Sequence, residues 1–167
     1  FSPSDRRDLA MPMLQAAVDL SARGDLEGSV SLFEQASTVV SPLPREALLE
    51  WAALLVRLKR FREAVAPLER ALEQDPSSGE AHFRLGCCLF KEHNYEAALG
   101  SLQKAVELAP KNAQAYERIG MILDKQGKSE EAIAAMKKAT ELDASNIRYH
   151  QQLGFLFEAA GRHQDAV

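Results

Sequence analysis

Four histidines and two cysteines are the side chains whose types best suit metal binding or nucleophilic chemistry. His82, His93, His150 and His163 are scattered, and no two lie four positions apart. A helix therefore cannot present them as a zinc-binding pair of the H-E-x-x-H kind. Cys87 and Cys88 are adjacent. That spacing differs from the C-x-x-C arrangement of redox and zinc sites, and two small residues packed in a helix account for it. There is no G-x-S-x-G elbow and no glycine-rich phosphate loop. With no catalytic constellation, the expectation is a non-enzymatic protein with no cofactor and no bound metal.

The elements that must position these residues follow from composition and pattern. Hydrophobic residues make up 46% of the chain and charged residues 26%, a globular profile. Ala, Leu, Glu, Lys, Arg and Gln dominate, all strong helix formers, so an all-α fold is expected. The formal net charge of -4 is uneven, with three basic and six acidic side chains in residues 1–44. Nothing resembles a basic nucleic-acid footprint. No apolar run approaches the ~20 residues needed to span a bilayer, so direct membrane insertion is not expected. No secretory leader is visible at Phe1, and cytoplasm is the expected compartment, with periplasm the open alternative.

The segment "EHNYEAALGSLQKAVELAP" at 92–110 has counterparts 34 residues earlier, "LKRFREAVAPLERALEQDP", and 34 residues later, "QGKSEEAIAAMKKATELDA". Rows at 45–78, 79–112 and 113–146 hold this register, a partial row fills 147–167, and a looser copy covers 10–44. Small residues recur in the first half of each row at Ala17, Ala52, Gly86, Gly120 and Gly154. Others recur in the second half at Ser29, Ala64, Ala98, Ala132 and Ala166, with bulky Phe33, Leu68, Leu102 and Met136 beside them. Each row reads as two helices. In the third row these are Glu80–Glu92 and Tyr95–Ala109, with Asn94 as N-cap of the second and Pro110 as its stop. Ser77 and Glu80 have capping-box spacing and mark the next start. Small residues at the crossings allow close packing, and each pair must stack on a neighbour to bury its apolar faces.

On these residues the chain resembles the tetratricopeptide repeat (TPR) family over 10–167. Departures are local: Gly28 and Ser29 in the first copy, Pro67 inside a second helix, and Ala144 in place of a closing proline. The resemblance implies a right-handed superhelix (solenoid) of antiparallel helical hairpins, about four and a half units forming one domain over 1–167. Val167 falls about a turn into a second helix without a polar cap, so a longer parent protein is expected.

In the third row His82, Leu85, Gly86 and Leu89 are the expected packing residues. A second set, Glu80, Phe83, Cys87, Phe90 and Lys91, is centred about 140° away at ~100° per residue. The resemblance implies that this second set faces a concave groove. Carried across the rows, the groove would include Leu14 and Val18, Leu49, Ala53, Val56 and Arg57, then Glu117, Met121, Asp124 and Lys125, and finally Phe155. Its apolar stripe suits a protein or peptide partner, with Arg57, Lys91 and Lys125 as a basic ladder. A carboxylate clamp for acidic tails is not expected, because its lysine and asparagine positions hold Leu14 and Val18, or Leu49 and Ala53. The expected function is a protein–protein interaction scaffold taking an amphipathic helix or extended apolar segment. A self-assembling array (a homo-oligomer) and the recognition arm of a larger enzyme are the alternatives.

Overall fold

The computed structural model describes residues 2–161. His163, Ala166 and Val167 of the last repeat lie outside them. Among the described residues there are nine α-helices and no strand: α1 (Pro3–Ala22), α2 (Leu26–Val39), α3 (Arg45–Arg57), α4 (Phe61–Gln74), α5 (Gly79–Lys91), α6 (Tyr95–Leu108), α7 (Ala113–Lys125), α8 (Ser129–Leu142) and α9 (Ile147–Ala159). They fall into two compact units, Phe1–Pro76 and Ser77–Val167. In the first unit α1 packs on α2, α2 on α3, and α3 on α4. In the second, α5 packs on α6 and α7 on α8, while α6–α7, α8–α9 and α5–α7 join successive repeats.

The turns inside the hairpins are the most uniform feature of the backbone. Gly24, Lys59, His93, Gly127 and Gly161 all have positive φ, between 60° and 88°. Each ends a first helix in the left-handed conformation that closes a helix C-terminus. The amide of the following residue returns to a leucine carbonyl five positions back in four turns: Asp25 to Leu20, Arg60 to Leu55, Asn94 to Leu89 and Lys128 to Leu123, at 2.8–3.0 Å. Orphan carbonyls at these helix ends are thereby satisfied. Asn94 then accepts from the Ala97 amide as the expected N-cap.

The second helices end at a residue that leaves the helical region with φ between -145° and -131°, at Val40, Asp75, Ala109 and Asp143. Asp143 does so before Ala144, so the backbone adopts this stop without a proline behind it. Pro67 lies buried within α4, which continues through it as one helix.

Two helix starts differ from the expectation. Ser78, not Ser77, caps α5, accepting from the Ala81 amide, and the helix begins at Gly79. The first helix begins well before residue 10, because Ser2 and Asp5 form a capping box ahead of Pro3 at the first helical position.

The small-residue seams are as tight as the spacing requires. A Cβ built on Gly86 would lie 2.6 Å from Leu102 Cγ, and one on Gly120 would lie 3.3 Å from the Ala132 carbonyl oxygen. Ala17, Ala36, Ala64, Ala98, Ala105, Ala132 and Ala139 are fully buried beside Phe33, Leu68, Leu102 and Met136. The departures in the first copy also have causes. Buried Ser29 donates to the Ala17 carbonyl across the hairpin at 2.6 Å. Gly28 leaves room for the capping carboxylate of Asp25, since a Cβ there would sit 2.3 Å from its Oδ2.

Candidate functional site

The first helices carry the candidate residues, and their packing decides what each can do. On α5 the buried residues are Ala81, Leu85, Gly86 and Cys88. His82 and Leu89, expected in the packing set, are only half-buried. Phe83, Cys87 and Phe90 are also half-buried, and Lys91 is exposed. Both phenylalanines rest against the core of the second unit, so neither is fully covered nor fully free. Phe90 meets the Tyr95 ring edge-on at 5.7 Å, and the Arg118 guanidinium lies over its face at 5.4 Å. Cation–π attraction of this kind fixes a long side chain on an aromatic surface.

Arg118 also reaches toward the Met121 sulfur at 3.7 Å. Phe90, Arg118 and Met121 thus form one connected patch on α5 and α7. Met121 continues into a cleft of about 210 Å³ lined by Gly120 and Asp124 of α7, Met136 of α8, and Gln152, Phe155 and Leu156 of α9. Phe155 is 69% exposed at its edge. The side-chain oxygen of Gln152 is buried there and has no hydrogen-bond partner among the described residues.

Two residues expected on the open groove are buried. Glu117 is 1% exposed. Arg148 of α9 covers it, its Nη2 donating to Oε2 at 3.1 Å and lying 3.0 Å from Oε1. A carboxylate so enclosed needs a cationic partner, and the following repeat supplies it. Leu14, expected on the open stripe, is buried at 8% exposure, whereas Val18 one turn later is 40% exposed. In the first unit Leu49, Ala53 and Val56 are half-buried on α3.

Arg57, Lys91 and Lys125 are the final residues of α3, α5 and α7, and all three are exposed. Positive charge there complements the negative end of each helix dipole. Lys125 additionally lies 5.7 Å from the Tyr95 ring centre. Arg84, beside the ladder, pairs with Glu80 at 2.8 Å.

The residues with nucleophilic or ligand potential have structural partners. Burial pushes the Cys88 thiol up to about 11, and it also raises Cys87, where neighbouring Arg118 opposes the effect. Both therefore stay protonated and poorly nucleophilic near neutral pH. His93 holds the Tyr95 hydroxyl at 2.9 Å, and His150 reaches the Ala144 carbonyl oxygen at 2.8 Å. Among the described residues no group of three or more His, Cys, Asp or Glu side chains is arranged to hold a metal ion. No described helix is long and apolar enough to cross a membrane.

Comparison with known proteins agrees with this architecture. The sequence profile of the tetratricopeptide repeat matches residues 14–78, 49–113 and 83–147. No curated protein is matched by the sequence. Among solved structures, the crystal structure of MamA is similar with 26% identity and a TM-score of 0.84, over 90% of this chain and 87% of that one. MamA 41-end from Desulfovibrio magneticus RS-1 is similar with 29% identity and a TM-score of 0.82, over 94% and 88%. YrrB, described as a TPR protein with an unusual peptide-binding site, is similar with 26% identity and a TM-score of 0.81, over 95% and 81%. With three overlapping profile matches on helices that pair as the 34-residue register requires, the chain belongs to the tetratricopeptide repeat family.

Proposed function

We propose that this chain is a non-enzymatic scaffold that binds a partner's amphipathic helix or extended apolar segment on its first-helix face. The observation that carries the reading is the patch on the second unit. There Met121 and mostly exposed Phe155 line a cleft of about 210 Å³, and Arg118 joins Met121 to half-buried Phe90. An aromatic left in water beside a concavity is the usual anchor point of a recognition surface. Arg118 at the same patch supplies charge for orientation. The peptide-binding site described for YrrB gives the reading support by similarity.

The test begins with peptides selected from a displayed random library on the whole protein. Phe155→Asp and Met121→Asp should each weaken the selected peptides by ~10-fold or more, equivalent to about 1.4 kcal/mol. Their helical circular dichroism should be unchanged, because neither side chain belongs to the buried core. Undiminished affinity in both variants discards the reading.

A second reading, self-assembly, is favoured by one observation. Among the described residues the most exposed large apolar side chains, Met11, Ile147 and Phe155, lie on α1 and α9. Sedimentation velocity over a range of concentrations separates the two, since a persistent monomer excludes assembly.

A further inference from the structure

The contact between successive first helices is built differently in the two units, and the difference opens the first unit at a place that the second unit fills. In the second unit, Glu117 of α7 is bridged by Arg148 of α9, and Tyr149 beside it is 1% exposed. The repeat register equates Glu117 with Leu14, Arg148 with Glu46, and Tyr149 with Ala47. In the first unit the same place therefore holds a leucine, a carboxylate and a methyl group, which can neither bridge nor fill it. What remains is a cleft of about 230 Å³ between α1 and α3, floored by Leu14, Phe33 and Ala47. Met11 and Val18, 57% and 40% exposed, form its apolar shoulders. An apolar cavity of about 150 Å³ already accepts a benzene-sized group.

The rim is acidic. Glu46 and Glu50 line the cleft, and no lysine or arginine does. Glu46 approaches Arg45 at 3.5 Å, but that arginine is also paired with Asp75. Glu50 is exposed and makes no ion pair among the described residues. A second cleft of about 430 Å³ shares Met11, Leu14 and Pro44 with the first and extends away from the two carboxylates toward Val40 and Leu43, with Arg7 and Gln74 also in its lining.

We propose that the cleft between α1 and α3 receives a leucine- or methionine-sized side chain of a partner helix whose flanking residues are lysine or arginine. The apolar floor supplies burial, and the two rim carboxylates select the positive charge. This deepens the scaffold reading and rests on it, but on a different pair of helices from the Met121–Phe155 patch.

The sole tryptophan gives a direct readout, because Trp51 stacks at 6.4 Å on Phe33, which lines the cleft. The whole protein is titrated with a synthetic leucine–lysine amphipathic peptide and with its leucine–glutamate counterpart, followed by Trp51 fluorescence and peptide anisotropy. The leucine–lysine peptide should bind at least ~10-fold more tightly and should weaken with added salt. Glu46→Lys with Glu50→Lys should reverse that preference. Ala47→Tyr, which imitates Tyr149, should remove binding of both peptides while helical circular dichroism is retained.

Equal affinity for the two peptides, or affinity unmoved by the charge reversal and by Ala47→Tyr, overturns the proposal while leaving the scaffold reading intact. Binding of neither peptide overturns it as well, and the library selection on the second unit then decides the scaffold reading separately. If the wild type self-associates in sedimentation and Ala47→Tyr restores the monomer, the cleft's occupant is a second copy of the chain and the proposal also falls.

Discussion

The hairpins α1/α2 and α5/α6 bring two helices to a close crossing by different chemistry. In α5/α6 a glycine is opposed by a leucine, and the Leu102 side chain occupies the place a Gly86 Cβ would take. In α1/α2 the corresponding first-helix residue is Ala17, and the second helix contributes Ser29, whose hydroxyl bonds the Ala17 carbonyl at 2.6 Å. One seam is apolar and held by shape, whereas the other adds a buried hydrogen bond. The register therefore conserves a separation between helix axes, and several side-chain solutions satisfy it.

This contrast can be broken from the apolar side first. Gly86→Ala should destabilise the protein by about 1–3 kcal/mol through overpacking against Leu102, despite the better helix propensity of alanine. Leu102→Ala alone should cost about 2–5 kcal/mol. Combined, the two should cost clearly less than their sum, because removing the leucine makes room for the added methyl group. Urea denaturation of the three variants measures the coupling, and strict additivity would refute the steric account.

The polar seam should give less. Ser29→Ala removes one buried hydrogen bond while keeping the small volume, with an expected loss of about 1 kcal/mol in the same assay. A loss as large as that of Leu102→Ala would mean that the hydroxyl does more than join the two helices. The smallest effect should have the opposite sign. Gly100 lies exposed within α6, and a Cβ there meets nothing within 4 Å. Gly100→Ala should therefore stabilise by up to ~1 kcal/mol, read as a rise in melting temperature.

Much of this architecture is legible in the sequence because the repeat averages over local ambiguity. Ala64, Ala98 and Ala132 occur at one interval, and each is buried where that interval predicts. The start of α1 is not legible in the repeat because residues 3–9 lie outside it, although Ser2, Pro3 and Asp5 carry the signal of a capped helix. The Ser77 assignment failed by one position because two serines are adjacent and the spacing to Glu80 favoured the wrong one.

Errors at the candidate groove have a different origin. A helical wheel ranks the faces of one helix, but it does not know what the next repeat brings against them. Glu117 reads as a groove residue until Arg148, 31 positions later, closes over it. Leu14 reads as exposed too, and its 8% exposure places it on the floor of the cleft between α1 and α3. Phe155 shares its register position with half-buried Cys87 and Met121, yet it is 69% exposed.

The left-handed residues at Gly24, Lys59, His93, Gly127 and Gly161 recur with the period of the array. The bonds that shape the corner at His93 run between residues 89 and 94, and its neighbours are equally self-contained. Such a corner asks nothing of distant chain, so a module can be duplicated or deleted without redesigning the bends on either side. Evolution can thus adjust the number of repeats in whole steps, changing a molecule's reach while each bend stays the same.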